Sequence, residues 1–331
     1  MKKYLLTLGM VWYLLGCAVY TPPKTYPSPS PAPAPAPVVM SAHLKLGNPT
    51  NASGDLSSPT NYLMIKPQYT LSYNREKGHP NWVSWELSKE WLGESDRQND
   101  FRPDPSLPSS WYQVRPSDYT GSGFDRGHLC PSADRTKNAE DNSNTFYMTN
   151  MIPQAPELNR EAWAYLEEYT REIVKKGYKA YVVAGAYGTG GEGSNGNAAS
   201  LNNKVNVPAR VYKVAVFYPE NGNIDENSIV IATDFPNKVS LTKEVSWLRY
   251  VTTADAIEKS TSVRFFSNLP TSVQQVLKTR RFDYLNTSLE VEAAIRTYKG
   301  NPLYVGKKGG CYYFNSSGKK TYVDHSLCGI E

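Results

Sequence analysis

The sequence predicts an α+β fold in which helices flank a central, mainly antiparallel sheet. Short apolar segments bounded by turn residues recur from about residue 60 onward, and three further segments have helical periodicity. The two kinds of segment do not alternate regularly, as they would in a doubly wound parallel sheet. The 331 residues, of which 40% are hydrophobic, are sufficient for one sizeable core and a small appendage.

The individual elements follow from apolar spacing and from turn residues. Apolar runs predict strands at 61–66, 69–73, 82–87, 179–185, 211–217 and 229–233. Helical spacing of apolar residues predicts helices at 157–176, 253–259 and 271–280. The polar, Pro- and Gly-rich segment 93–123 is predicted to be mostly loop. The core is expected to include three tryptophans, Trp82, Trp85 and Trp163.

The N-terminal residues predict export of the protein. Residues 1–17 combine a positive start with an apolar run that is too short for a membrane span, as in a signal peptide. This segment ends in Leu14-Leu15-Gly16-Cys17, which resembles a bacterial lipoprotein processing box. Cys17 is therefore a candidate lipid anchor, with ordinary signal cleavage as the alternative. Residues 18–44 form a Pro-rich linker that is expected to be extended.

The net charge indicates which partners are compatible with the chain, and the cysteine spacing argues against a zinc site. Removal of Lys2 and Lys3 with the leader leaves 34 basic against 31 acidic residues, a mildly basic balance compatible with a polyanionic partner. The cysteines lack the close spacing of a zinc site. Cys311 and Cys328 are expected to pair in an oxidising compartment, which leaves Cys130 as a buried free thiol.

Residues 286–331 are predicted to form a C-terminal extension with a small β-hairpin. The segment is rich in Gly, Tyr and Lys and differs in character from the preceding chain. Its lysines are interpreted as a solvated basic face, with contact to nucleic acid or cell wall as the alternative.

His128 has neighbours suited to phosphodiester hydrolysis. It closes the sequence Asp125-Arg126-Gly127-His128. A neutral imidazole can take a proton from water near neutral pH, and a guanidinium can contact two phosphate oxygens at once. A surface histidine in a turn is the alternative interpretation.

The helix predicted at 157–176 carries further polar groups. Around an ideal helix, Asn159 and Glu167 are about 80° apart and Glu167 and Arg171 about 40° apart, so one broad flank can carry all three. A hard cation such as Mg²⁺, which keeps most of its water, suits an amide oxygen of this kind. A solvated Glu–Arg pair is the alternative.

These motifs together resemble the DNA/RNA non-specific endonuclease family of ββα-metal nucleases, including its secreted, sugar-non-specific cyanobacterial members. The resemblance extends over residues 45–285, which are expected to form the endonuclease domain. Its main blocks are Asp125 to His128, Thr149 to Gln154 and Asn159 to Glu167. It continues in Asn61 to Met64, Asn81 to Val83, Arg97 to Asp104 and Pro131 to Lys137.

The resemblance implies a role for each matched residue. His128 corresponds to the general base and Asn159 to the only direct protein ligand of a divalent metal, Mg²⁺ or Mn²⁺. Glu167 corresponds to a carboxylate that holds metal-bound water. Arginines that bind the phosphate correspond to Arg171 and to Arg97, which spacing favours over Arg102. The remaining matches are Asp125 and Arg126, which shape the site, and Asn150, which supports it.

The implied activity is hydrolysis of DNA and RNA without sequence preference, with 5′-phosphate products. A proteinaceous inhibitor is a further expected partner if the protein acts as a toxin. The main alternative is a tethered nucleic-acid-binding protein without activity. Two other signals are set aside: the glycines at 188–193 are interpreted as a flexible loop rather than a dinucleotide site, and His79 as an exposed turn residue.

Overall fold

The computed structural model describes residues 41–289 and 291–329. The predicted signal segment, the candidate lipid anchor Cys17 and nearly all of the Pro-rich linker lie outside these residues, so those expectations stay predictions. Within the described part of the chain, no helix combines the length and the apolar character needed to cross a membrane.

The strands occupy most of the positions at which apolar runs predicted them. In chain order they are β1 (Tyr62–Ile65), β2 (Thr70–Asn74), β3 (His79–Leu87), β4 (Asp125–His128), β5 (Met151–Gln154), β6 (Tyr178–Tyr187), β7 (Gly191–Gly193), β8 (Gly196–Ala198), β9 (Ser200–Leu201), β10 (Val205–Asn206), β11 (Arg210–Pro219), β12 (Ile229–Pro236), β13 (Val251–Thr252), β14 (Arg296–Tyr298), β15 (Asn301–Val305), β16 (Cys311–Phe314) and β17 (Lys320–Val323).

The helices are fewer and shorter. The α-helices are α1 (Ala139–Asn144), α2 (Trp163–Lys175), α3 (Val239–Thr242), α4 (Ala254–Ser260) and α5 (Thr271–Thr279). A π-helical turn, Leu158–Ala162, leads directly into α2. Short 3₁₀ turns occur at Ala42–Leu44, Lys89–Trp91, Pro116–Tyr119, Ser132–Asp134, Met148–Asn150, Trp247–Tyr250 and His325–Cys328.

A seven-stranded sheet forms the centre of the molecule, in the order β1-β2-β3-β6-β11-β12-β13. Every neighbouring pair in it is antiparallel, which confirms the predicted α+β class. Both faces are buried, because α2 packs against one face and α4 and α5 against the other. Burial on both sides explains why β6 and β11 have nearly continuous apolar sequences. The predicted core residues Trp82, Trp85 and Trp163 are each at most 1% exposed.

A small hairpin forms its own two-stranded sheet and is followed by a helix. β4 and β5 pair only with each other, with Asp125 opposite Gln154 and His128 opposite Met151. The chain then passes through the π-turn into α2. This strand, strand and helix unit brings the motif that ends in His128 close to the helix that carries Asn159.

The C-terminal extension contains more structure than a hairpin. β14 to β17 form a four-stranded antiparallel sheet. Its inner side chains, among them Leu303 and Val305, belong to the same buried core as α2. The predicted disulfide between Cys311 and Cys328 is confirmed, and Cys130 is free and buried as expected.

Two minor predictions are wrong. His79 is fully buried in β3 rather than exposed in a turn, because its ring nitrogens find partners in the Pro80 carbonyl and, 127 residues away, the Asn206 side chain. The glycine-rich segment predicted to be a flexible loop contributes β7, which pairs with β8. No helix follows it directly, which agrees with setting aside a dinucleotide site.

Candidate active site

The β4–β5 hairpin requires glycine at position 127. A Cβ atom built on Gly127 would lie 2.1 Å from the Gln154 side-chain oxygen and 2.6 Å from its Cβ. Gln154 is fully buried and has little room to move. The glycine of the motif therefore allows the two strands to approach closely and sets the position of His128.

Asn150 holds the chain just beyond His128. Its side-chain amide donates hydrogen bonds to the carbonyls of Cys130 and Thr145, at 2.8 and 2.9 Å. Its side-chain oxygen accepts a bond from the Cys130 amide at 3.0 Å, and the residue is fully buried. Asn150 is thus placed to support the hairpin, and its side chain does not reach the cleft.

His128 is enclosed by aromatic rings and lacks a hydrogen bond at one nitrogen. Its ring lies 4.8 Å from that of Phe146 and 5.4 Å from that of Phe101. Nε2 is buried and finds no partner in the described part of the chain. Burial lowers the pKa of His128 well below 6.5, and the guanidinium groups of Arg97 and Arg126 lower it further. The imidazole is therefore neutral at pH 7.

The two arginines beside His128 rest on the same aromatic rings. The guanidinium of Arg126 lies 4.2 Å from the centre of the Phe101 ring, and that of Arg97 lies 4.8 Å from the centre of the Phe146 ring. Arg97 also donates to the Ser132 hydroxyl at 2.6 Å. Aromatic support of this kind fixes the guanidinium plane and leaves its edge available to an anion.

Arg102, the alternative to Arg97, is engaged elsewhere. It forms a salt bridge with Asp100 at 2.7 Å, donates to the Ser143 carbonyl and stacks on Tyr147. Arg97, and not Arg102, is among the residues that line the cleft described below.

Asp125 connects the hairpin to the π-turn. Its carboxylate accepts a hydrogen bond from the Asn159 amide group at 2.9 Å, and Arg160 donates to both of its oxygens at 2.9 and 2.7 Å. Sequence reasoning did not identify Arg160, and its position next to Asn159 was the only available signal. Because the Asn159 amide nitrogen donates to Asp125, its side-chain oxygen points away from this contact and can act as an acceptor.

The π-turn changes the helical register that the sequence analysis assumed. The angles predicted for an ideal helix do not hold between Asn159, in the π-turn, and Glu167, in α2, because a π-turn has more residues per turn. Such turns often occur at functional sites. Here the turn places Asn159 against the hairpin.

Glu167 and Arg171 are held by two buried partners. Lys213 in β11 is only 2% exposed and forms a salt bridge with Glu167 at 3.0 Å. Asp134 accepts hydrogen bonds from Arg171 at 3.0 Å and from the Trp85 indole at 2.9 Å. The sequence offered one overlooked signal for Lys213, a single charge inside the apolar strand predicted at 211–217.

Four of the predicted residues line one cleft, and His128 packs beside it. A cavity of about 220 Å³ is lined by Arg97, Asp125, Arg126 and Asn159, together with the ring of Phe101. His128 lies next to it, because its ring packs against that of Phe101. Glu167 is close enough to Arg97 to influence its pKa. Asn150, Glu167 and Arg171 are not among the residues that line this cavity.

The chemistry of the cleft fits a divalent cation with few protein ligands. The described residues contain no group of three or more His, Cys, Asp or Glu that could hold a metal ion. The oriented amide oxygen of Asn159 is a hard ligand at the wall of the cleft. A cation that keeps most of its water, such as Mg²⁺, needs no more than one or two such oxygens.

Known proteins resemble this chain over the same region. Residues 46–272 match the family model described as DNA/RNA non-specific endonuclease. The chain is 45% identical to a nuclease of Nostoc sp. over 245 residues, which span 73% of this chain and 86% of the relative. It is 30% identical to the mitochondrial endonuclease G of Homo sapiens over 214 residues, which span 62% of this chain and 70% of the relative.

A solved structure shares the architecture. The chain resembles one from the crystal structure of the EndoG/EndoGI complex with a TM-score of 0.58 and 26% identity, covering 69% of this chain and 91% of that chain. This likeness confirms the expected ββα-metal nuclease fold.

Proposed function

Because the chain belongs to the DNA/RNA non-specific endonuclease family, we propose that it is an exported nuclease with His128 as general base and Asn159 as ligand of one divalent cation. The chain is an endonuclease of DNA and RNA by family membership; export, the identity of the ion and the residue roles are the proposal. One observation supports it most: a neutral, unpartnered imidazole borders the cleft into which Asn159 and two arginines project.

His128 takes the proton of the attacking water. A general base must be unprotonated at the working pH, and burial together with the two neighbouring arginines keeps this imidazole neutral. Its unpartnered nitrogen would otherwise cost free energy, and a water or a substrate oxygen satisfies it.

Arg97 and Arg126 bind the scissile phosphate. Both guanidinium groups line the cleft, and a charge-assisted, two-pronged contact to phosphate oxygens suits their shape. Arg171 and Glu167 add a cation and a carboxylate behind them. Since these contacts go to phosphate and carry no base information, cleavage is expected to be independent of sequence.

Asn159 is the residue that would hold Mg²⁺ or Mn²⁺, with Glu167 holding water around the ion. When bound, the ion supplies Lewis-acid stabilisation of negative charge on the phosphate. Asp125 orients the Asn159 amide so that its oxygen is free for this contact. We expect 5′-phosphate products.

Export, with either lipid attachment at Cys17 or free secretion, is proposed from the N-terminal sequence. A proteinaceous inhibitor is a proposed partner, because the similar EndoG chain is described in a complex that explains its inhibition. The confirmed disulfide is compatible with an oxidising compartment.

Cleavage of plasmid DNA and of RNA, followed while Mg²⁺ or Mn²⁺ is titrated, tests the assignment. His128→Ala should lower the rate by at least ~10²–10⁴-fold, the usual contribution of a general base. His325→Ala, an exposed histidine of the extension, is the matched control and should keep full activity. Full activity of His128→Ala, or of the wild type in chelator, would refute the proposal, and retained binding without cleavage in the wild type would favour an inactive binding protein.

A further inference from the structure

The chain from Arg296 to Val323 has an unusual composition. It contains six basic residues, six aromatic residues and no acidic residue. The match to the endonuclease family ends at residue 272, so the nuclease fold does not account for this stretch. The stretch forms the four strands β14 to β17.

The outer side of this sheet is a row of aromatic rings. Strand pairing sets Tyr304 beside Tyr312 and Tyr312 beside Tyr322, with ring centres 5.7 and 5.6 Å apart. Phe314 lies in the same strand as Tyr312 and pairs with Lys320. We use the term aromatic face for the four rings together with the paired lysine, that is, Tyr304, Tyr312, Phe314, Tyr322 and Lys320. The opposite side of the sheet packs on the core through Leu303, Val305 and Cys311.

Part of the aromatic face is open to solvent. Tyr322 is 65% exposed and Phe314 is 39% exposed, whereas Tyr312 between them is buried. Within the described residues, Tyr112 is the only other aromatic side chain among the exposed large hydrophobic ones. Two of three such rings therefore lie together on one side of one small sheet, as expected for a contact surface.

Lysines lie in β17 and in the turns next to the exposed rings. The ammonium of Lys320 lies 4.0 Å from the centre of the Tyr312 ring and is bridged to Glu292 at 3.0 Å. Lys308 and Lys319 are exposed in the turns on either side of β16. The rim of the aromatic face is thus positively charged, and Glu292 offsets only Lys320.

We propose that the aromatic face is a second binding surface for single-stranded nucleic acid. Exposed rings stack on unpaired bases, and lysines beside them meet the phosphates of the same strand. A duplex hides its base faces and cannot use the rings. A neutral polysaccharide also stacks on aromatic rings but gains nothing from an excess of lysines beside them. The inference rests on the proposed function, because the ligand of the aromatic face is the same nucleic acid that the active site is proposed to cleave.

The aromatic face is joined to the helix that carries the active site. β14 packs against the π-turn that contains Asn159, and the Tyr165 hydroxyl of α2 contacts the Thr297 hydroxyl at 2.5 Å. A nucleic-acid strand bound on the aromatic face is therefore held by a sheet that packs against the π-turn, and this turn lines the cleft through Asn159. The surface would keep a long substrate bound between successive cuts.

Binding of a fluorescent oligothymidylate to the full chain tests the inference. Measurements use the His128→Ala background in chelator, so that no cleavage occurs, and follow fluorescence anisotropy against salt concentration. Phe314→Ala with Tyr322→Ala should weaken binding about tenfold or more, because each ring stacks on one base. Lys308→Gln should reduce the slope of log affinity against log salt by about 0.7.

Matched controls separate stacking from folding. Tyr322→Phe keeps the ring and should bind like the unsubstituted chain. Lys243→Gln removes an exposed lysine outside the sheet and should leave the salt slope unchanged. In the active background, the double alanine variant should hydrolyse a small chromogenic phosphodiester at the normal rate while its KM for long single strands rises.

The outcomes distinguish this inference from the proposed function. Unchanged affinity of the double alanine variant overturns the inference even if the protein cleaves DNA. Loss of binding to cell-wall polysaccharide, or of self-association in sedimentation, without loss of oligonucleotide affinity also overturns it. Weakened oligonucleotide binding in a chain that cleaves nothing supports the inference and rejects the proposed function.

Discussion

Arg97 and Arg126 help to keep His128 unprotonated, in addition to the effect of burial. Protonation of the imidazole would place a third positive charge beside Arg97 and Arg126, where burial already disfavours charge. The groups proposed to bind phosphate thus also keep the base unprotonated. A bound phosphate would offset their charge and raise the pKa of His128, which makes the base stronger once substrate is present.

The pH dependence of kcat/KM should show this coupling. Because the pKa of His128 is lowered, the acidic limb of the profile is expected below pH 6.5. Arg126→Gln removes one cation and should move the limb to higher pH, whereas Arg126→Lys keeps the charge and should leave it in place. A limb that stays fixed in Arg126→Gln would show that this guanidinium does not act on the base.

The packing around Gly127 leaves no room for a Cβ atom. Gly127→Ala would place a methyl group 2.1 Å from the buried Gln154 side chain and should destabilise the fold by ~1–3 kcal/mol, the usual cost of overpacking. Urea unfolding measures this cost. Gly54→Ala is the control, since the added methyl group would lie 3.9 Å from its nearest neighbour, the Leu63 carbonyl. Equal stabilities of the two variants would contradict the packing argument.

At the scale of elements, one carboxylate joins the hairpin to the helix. Asp125 binds Asn159 and Arg160 together, so β4 and the π-turn cannot move apart without breaking three hydrogen bonds. Partners of this kind orient a metal ligand and strongly affect metal affinity. The position of the Asn159 oxygen therefore depends on the hairpin as much as on its own helix.

Asp125→Asn should raise the Mg²⁺ concentration needed for half-maximal activity by about 10–100-fold, because the neutral amide holds Asn159 and Arg160 less firmly. Direct titration with Mn²⁺ checks that the effect is on binding. Arg160→Gln, which leaves the hydrogen bond between Asp125 and Asn159 in place, should have a smaller effect. If both variants bind the ion like the wild type, Asp125 does not position the ligand.

The same elements show what a sequence can predict here. Apolar runs and helical spacing located the main strands and α2, because burial on a sheet or helix leaves a local pattern. The π-turn leaves no such pattern, because one additional residue in a single turn does not change the apolar spacing of the sequence on either side. The contacts of His79 with Asn206 and of Lys213 with Glu167 join distant segments, so only the folded chain reveals them.

At the scale of the whole molecule, two histidines are buried among uncharged hydrogen-bond partners. His43 lies against the Pro67 carbonyl and the Glu86 amide, and His79 against Pro80 and Asn206, all uncharged partners. Burial lowers the pKa of each histidine from 6.5 to about 4. Both tie early strands of the central sheet to more distant chain, so their protonation affects the fold as a whole.

Acidification should therefore destabilise the protein before its carboxylates titrate. Between pH 6.5 and pH 4 the unfolded chain binds protons at these histidines and the folded chain does not, so the free energy of unfolding falls as the pH falls. From pH 7 to pH 5 each contributes about 2 kcal/mol of this loss. Urea unfolding at both pH values measures it. His79→Gln should reduce the loss by about 2 kcal/mol, the share of that one histidine. Identical pH dependence in His79→Gln and the wild type would contradict the lowered pKa of His79.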